Sequence, residues 1–469
     1  MVMVGINQQR KPTKMSNKKG AKPETLTLKP SECAVAIRAI LNTDRSLFMW
    51  GPPGISKSAQ TKQVATAENM AFIDVRLSQM DPTDLRGIPY PVVENGVHGV
   101  RWSPPMALPR DLNFSGVTQT EIDGAEVGFL NPKGDNGIHY CTNPVVEVRA
   151  LAPAGAVATI TEQSGDRFHV IVKDAEGNPV EGKVRYSVKG EVRGILALEE
   201  FNSAPPSVAA AAYQLVLDRK LGEGYEVPEG VAIVAMGNRD TDKGITFKMA
   251  TPISNRFVHI EMRHDFDDWQ RWALGAFLNA DVVGYLSAFK HHLFDFDAGS
   301  AARGFATPRS WHALSDILNA NDDLPDMIAM GLICGSVGEG IGVQFMEFRN
   351  FAADLPKAEE ILSGRLKKMP KKVEVSLAYA LTTTLCYELK NRADDVKREG
   401  GANFMASPQR KQWLIEADNF LEFIMENFQP EICIMGAKAA ISSHKLPFDT
   451  QKMKHFDTFA RKFKDLIMS

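Results

Sequence analysis

The chain has 469 residues, with 54 Lys and Arg against 57 Asp and Glu, a net charge of −3 and 44% hydrophobic residues. That length exceeds what one core holds, so two or three domains are expected, and the near-neutral balance excludes a global field for nucleic acid or a membrane surface. The five cysteines (Cys33, Cys141, Cys334, Cys386, Cys433) are scattered without a CxxC pair and read as reduced thiols; with no bilayer-spanning run and no apolar leader segment, a cytoplasmic protein without membrane contact is expected.

Residues 1–28 carry Arg10, Lys11, Lys14, Lys18, Lys19 and Lys22 and read as a disordered basic tail, an arm for an anionic partner being the other reading. Ser31 can cap a helix running to Leu41, because Ala34, Ile37 and Leu41 share one face. The apolar Ser46–Trp50 is strand-like, and Ser58–Ala67 is helix-compatible. Between them lies Gly51-Pro52-Pro53-Gly54-Ile55-Ser56-Lys57-Ser58, which reads G-x-x-x-x-S-K-S, one residue away from the P-loop pattern. In that strand–loop–helix context the loop N–H groups and the helix N-terminus form a cradle for phosphate oxygens. Lys57 would reach the β- and γ-phosphates of ATP, and Ser58 would ligate Mg²⁺. Ser56 stands where the pattern has its last glycine, and it must take the backbone angles that glycine supplies.

A second strand, Ala71–Leu77, precedes Asp81-Pro82-Thr83-Asp84-Leu85-Arg86-Gly87-Ile88-Pro89. Asn95-Gly96 between apolar β-formers then signals a hairpin over 91–102. Across 112–192 helical periodicity gives way to alternation. Phe168–Lys173 and Lys183–Val188 flank the turn Asp174–Pro179, with further short strands at Val145–Val148 and Ala156–Thr161. This is expected to be a small inserted β-domain; its phrase Val172–Val180 is similar to hairpins of bacterial Ig-like repeats.

Gly194–Glu200 is an apolar run ending in Glu199-Glu200, the shape of a buried parallel strand that presents acids at its C-terminal end. Glu199 would hold Mg²⁺ through water, and Glu200 would orient or deprotonate an attacking water. Another buried strand, Val231–Met236, ends in Gly237-Asn238, where a side-chain amide can help position that water. Pro252-Ile253-Ser254-Asn255-Arg256-Phe257 leads into the strand-like Val258–Glu261. From Met262 the pattern is helical. Thr307-Pro308-Arg309 puts proline at a helix start and a cation in its first turn, where the macrodipole disfavours it, so Arg309 suggests a phosphate partner. Further helices are expected over Val373–Asn391, Lys411–Asn427 and Met453–Met468, with a mobile linker from Asp394 to Pro408.

In this order the set resembles the AAA+ ATPases, specifically the MoxR-like branch. Three phrases carry the resemblance: Trp50–Ile55, Asp84–Pro89 and Glu200-Phe201-Asn202-Ser203-Ala204-Pro205-Pro206. The hairpin matches the insertion that this branch carries after its second core strand. The resemblance covers about 30–110 and 193–350. It implies an α/β fold: a P-loop AAA+ core with a parallel sheet (29–111 and 193–261), a helical lid (262–355), the inserted β-domain (112–192) and a C-terminal helical extension (356–469). It also implies Walker A roles for Lys57 and Ser58, Walker B roles for Glu199 and Glu200, sensor 1 at Asn238, an arginine finger at Arg256 reaching a neighbour's nucleotide, and sensor 2 at Arg309. The implied activity is ATP hydrolysis with Mg²⁺ in a homo-hexameric ring that remodels a client protein, alongside a von Willebrand A-domain partner. A nucleotide-gated scaffold with little hydrolysis is the alternative. A nucleic-acid motor is disfavoured by the acidic balance and the lack of an aromatic-basic strip.

Overall fold

The computed structural model describes residues 26–463 apart from 106, 111–113, 121–128, 150–152, 165–166, 223, 243–246, 248, 301, 322, 401–406 and 450. The expected basic tail lies outside these residues except at its end, where Thr27–Leu28 forms strand β1. Next come α1 (Pro30–Ile40), β2 (Ser46–Trp50), α2 (Lys57–Ala67), β3 (Ala71–Arg76) and the short α3 (Pro82–Arg86). Pro30 rather than Ser31 opens α1, at the position where its missing N–H goes unused.

The hairpin pairs β4 (Ile88–Glu94) with β5 (Val97–Ser103). Asn95 and Gly96 turn it with φ of 51° and 80°, the double positive φ that a two-residue primed turn demands. The insert holds β6 (Phe114–Thr120), β7 (Phe129–Leu130), β8 (Cys141–Arg149), β9 (Val157–Ser164), β10 (Arg167–Lys173) and β11 (Gly182–Val192). They form two antiparallel sheets, ordered β6-β11-β8 and β7-β10-β9. Its middle stretch also serves the core. Asp135 N–H donates to the carbonyl of Phe72 at 2.6 Å, and the Asn136 side chain bonds Phe72 N and Met70 O at 3.1 and 2.7 Å. A Cβ at Gly134 would lie 2.4 Å from the Phe72 carbonyl oxygen, so only glycine lets this stretch lie along β3.

The chain re-enters the core through Arg193. There follow β12 (Gly194–Glu199), α4 (Pro206–Asp218), the small pair β13 (Lys220–Leu221) and β14 (Tyr225–Glu226), β15 (Val231–Gly237), α5 (Thr251–Ser254) and β16 (Phe257–Met262). The fold is α/β. A six-stranded sheet runs β1-β16-β2-β15-β12-β3 with every neighbouring pair parallel. β12 and β15 are buried along their whole length, because helices cover both faces and the apolar runs need no alternation. The register sets Trp50 beside Gly237, and Glu199 beside Arg76, at one edge of the sheet. The loops after β2, β12 and β15 therefore emerge side by side at the carboxyl ends of adjacent strands, where open α/β sheets bind ligands.

The helical part comprises α6 (Phe266–Gly275), α7 (Ala280–Ala288), α8 (Pro308–Ala320), α9 (Asp326–Val337), α10 (Glu339–Ala352), α11 (Ala358–Leu362), α12 (Val375–Gly400), α13 (Pro408–Asn427), α14 (Pro430–Lys438) and α15 (Lys454–Lys462). One continuous apolar cluster runs from Trp269 to Phe463, so the segments expected as lid and extension share a core. The linker expected from Asp394 begins instead as the last turns of α12. The (i, i+4) pairs Lys390–Asp394 (2.6 Å) and Glu388–Arg392 (2.8 Å) extend that helix, and Ala393 is buried. Residues 464–468 of the expected last helix lie outside the described residues. Among the described residues no helix is long and apolar enough to cross a membrane.

Candidate active site

Lys57 opens α2 and folds back on its own loop. Its Nζ donates to the carbonyls of Gly51 (2.8 Å) and Pro52 (3.0 Å) and to Asn238 Oδ1 (3.2 Å). Burial pushes the ammonium pKa down to about 8, with the Asp242 carboxylate pulling it back up, Arg309 lowering it and Glu199 raising it. The loop approaches the start of α8 closely: a Cβ at Gly54 (φ 78°) would strike Thr307 at 2.7 Å, and Arg309 N–H donates to the Gly54 carbonyl at 3.2 Å. Thr307 caps α8, accepting from Ser310 N–H at 3.0 Å, so the first turn of α8 is fixed against the loop.

Ser56 adopts φ 69° and ψ 38°, the left-handed conformation that glycine takes without strain. For a residue with a Cβ that geometry costs about 1–2 kcal/mol. Ser56→Gly relieves it but loosens the unfolded chain by about 0.5–1 kcal/mol, so a net stabilisation of roughly 0.5–1 kcal/mol is expected in denaturant unfolding. A loss of stability instead would show that the hydroxyl itself holds the loop.

Glu199 ends β12 with its carboxylate largely buried. Burial raises its pKa and a hydrogen bond donated by Ser58 lowers it, while Asp74 raises it again. Arg76 Nε lies 3.8 Å from one Glu199 oxygen and 3.3 Å from Asp74. The other Glu199 oxygen, Oε1, is buried with no hydrogen-bond partner among the described residues. A carboxylate with one open oxygen, in a cavity that the Ser58 side chain also lines, fits a hydrated Mg²⁺. Among the described residues no three His, Cys, Asp or Glu side chains gather to hold a metal, which suits an ion that takes few carboxylates and otherwise water and phosphate oxygens. Glu200 follows in a left-handed conformation (φ 53°), which swings its side chain away from the strand, and Ser78 donates to its carboxylate.

Lys57, Ser58, Glu199, Glu200, Asn238 and Arg309 thus line one cavity of about 100 Å³. Pro53, Gly54, Ser56, Met236 and Gly237 complete its wall; Gly51 and Pro52 contribute their carbonyls to Lys57. Ile55 faces a second cavity of about 160 Å³ that meets the first at Ser56 and is walled by His264, Trp269, Trp272 and His312. Arg256 is not brought into either. It is exposed and precedes β16 at the opposite end of the sheet, next to the pairing of Phe257 with Ser46. Four residue steps along β2 carry the sheet from Ser46 to Trp50, about 13 Å.

Three residues to which the sequence assigns no role shape the site. Ser78 holds Glu200. Asn202 donates to the Asn238 carbonyl (2.8 Å) and accepts from Asn238 N–H (3.2 Å), which fixes the backbone and leaves the Asn238 amide facing Lys57. Asp242 is buried and paired with Arg239 at 2.7 Å, and Arg239 also reaches Glu261 at 3.2 Å. Each is a short polar residue after a strand, a pattern shared with ordinary turns.

No family model matches the sequence, and a search of curated proteins returns no match. Solved structures do align at low identity. A protein from Cytophaga hutchinsonii described as a "putative ATPase" aligns over 93% of this chain and 90% of its own, at 10% identity and a TM-score of 0.27. NtrX from Brucella abortus in complex with ATP aligns over 94% and 69%, at 11% identity and 0.30. A point mutant of RuvB from Thermotoga maritima aligns over 76% and 80%, at 11% identity and 0.28. With TM-scores this low, the functional reading rests on the chain's own residues.

Proposed function

We propose that this chain is an AAA+ ATPase of the MoxR-like branch that hydrolyses ATP in a homo-hexameric ring and uses the cycle to remodel a client protein. The observation that carries the reading is the convergence of the loop, both acids, Asn238 and Arg309 on one phosphate-sized cavity, with the aromatic-walled cavity beside it as the seat of the base. In this reading Lys57 exchanges its loop carbonyls for β- and γ-phosphate oxygens. Ser58 and Glu199 would hold Mg²⁺, which when bound supplies neutralising charge at those oxygens. Glu200 orients a water and takes its proton as the water oxygen bonds to the γ-phosphorus and the bond to the bridging oxygen of ADP breaks. Asn238 holds that water from the other side, and Arg309 meets the developing charge. Arg256 lies too far away to serve its own site, and it makes no side-chain hydrogen bond or ion pair among the described residues; acting on a neighbouring subunit's nucleotide is the role that the resemblance implies for it. A von Willebrand A-domain protein as partner and a protein as client follow from the resemblance.

The test is phosphate release together with light scattering in ATP and Mg²⁺. Steady release and a particle several times the monomer mass are expected; monomer alone at micromolar concentration overturns the ring. The bond from Ser78 to Glu200 gives the scaffold reading its foothold, because an attacking water must compete with that hydroxyl. If ATP binds and turnover does not exceed that of Glu200→Gln, the nucleotide-gated scaffold replaces the motor.

A further inference from the structure

His259 lies in the middle of β16, opposite Phe48 on β2. Both of its ring nitrogens are engaged, in opposite directions along the sheet. Trp50 Nε1, on the residue immediately before the phosphate loop, lies 2.9 Å from His259 Nδ1. His259 Nε2 lies 2.8 Å from the Ser254 carbonyl and 3.2 Å from the Ser254 hydroxyl. The chemistry of the partners settles the tautomer. An indole N–H only donates, so Nδ1 must be the bare acceptor; Nε2 then carries the hydrogen and donates to the carbonyl, which only accepts. The Trp50 ring stacks beside the imidazole at 6.0 Å between centroids and 23° between planes. Ser254 ends α5, two residues before Arg256.

We infer that His259 is a positioning residue for Arg256, joining the end of β2 at a subunit's own phosphate loop to the segment that presents its arginine to the next subunit. The inference rests on the trans-acting role of Arg256 proposed above. α5 is a single short turn. Thr251, Pro252, Asn255 and Arg256 around it are exposed, and Ile253 alone is buried. Its C-terminal end is held by its own backbone bonds, Asn255 N–H to Thr251 at 3.1 Å and Arg256 N–H to Ile253 at 2.9 Å, and the bond from His259 ties it to the sheet; in this relay a shift of Gly51 on nucleotide binding would move Trp50, the imidazole and the Ser254 carbonyl together. His259→Phe keeps the ring and loses both bonds. His259→Gln can restore both, with an amide oxygen accepting from Trp50 and an amide N–H donating to Ser254.

His259→Phe is expected to lower turnover about tenfold, with nucleotide affinity within about threefold of wild type, since misplacing a reacting group by 1 Å can cost 10²-fold. His259→Gln should recover most of that loss. Mixed rings separate positioning from general damage. When Glu200→Gln and Arg256→Ala subunits are mixed, the Glu200→Gln chain donates the arginine and the Arg256→Ala chain supplies the competent site. Adding His259→Phe to the Glu200→Gln donor should abolish most of the mixed activity; adding it to the Arg256→Ala chain should leave that activity near its starting value. Equal loss in both placements, loss only in the second, or no loss in either overturns the relay. If the unsubstituted pair gives no mixed activity although the wild type hydrolyses ATP, the trans-acting arginine itself fails and the relay falls with it.

Discussion

Glu200→Gln is expected to cut ATP turnover about 10²–10⁴-fold while leaving ATP affinity within about twofold, the loss typical of removing a positioned general base. The expectation rests on the difference between two adjacent acids. Glu199 is buried, linked to Ser58 and flanked by Arg76 and Asp74, so in the proposed site it would act on what lies at the base of the cavity. Glu200 leaves the strand through a left-handed turn and stands exposed, with Ser78 as its hydrogen-bond partner. A glutamine there keeps the size and can still bond Ser78, but it takes no proton from water. In the proposed reading binding rests instead on Lys57, whose ammonium sits among loop carbonyls that phosphate oxygens would replace, so Lys57→Ala should weaken binding and turnover together. Phosphate release measured beside fluorescent-nucleotide binding separates the two variants. Equal losses in both measurements for Glu200→Gln would place that residue in binding and remove the general-base role.

The parts of the molecule legible in the sequence are those whose chemistry is local. The strand–loop–helix around Lys57 is written in consecutive residues, and so is the buried run that ends in Glu199-Glu200, because a central parallel strand needs an unbroken apolar stretch. Asn95-Gly96 announced its turn because few other pairs accept two positive φ values. Other features depend on partners far along the chain. Asn202 meets Asn238 across 36 residues, and Ser78 meets Glu200 across 122. Nothing near Ser78 distinguishes it from a solvated turn serine. Likewise the contact of 134–136 with β3 runs from an inserted segment back to a strand some 60 residues earlier, without periodicity to betray it. The extension of α12 through Gly400 was hidden for a different reason. Gly400-Gly401 is an ordinary break signal, whereas the (i, i+4) spacing of Glu388, Lys390, Arg392 and Asp394, equally visible, favours helix.

Arg256→Ala is expected to lose about 10³-fold in turnover with ATP binding kept, the scale at which an arginine supplied in trans acts on phosphoryl transfer. The same residue also makes the sharpest test of assembly. β16 runs parallel to β2, so the residue before Phe257 lies at the amino end of the sheet while the phosphate loop lies at the carboxyl end. An arginine side chain does not bridge that separation, and its exposure leaves it available to another molecule. In the proposed ring either variant alone lacks something at every interface: Arg256→Ala has no arginine to offer, and Glu200→Gln has no base to use. Where an Arg256→Ala subunit receives the arginine of a Glu200→Gln neighbour, one interface holds a complete set. Mixing two nearly inactive proteins should therefore restore phosphate release well above the sum of the two alone, and pre-assembling each ring separately before mixing should delay the recovery by the time subunits take to exchange. If the mixture stays at the sum while each protein still binds ATP and assembles, Arg256 does not act across the interface.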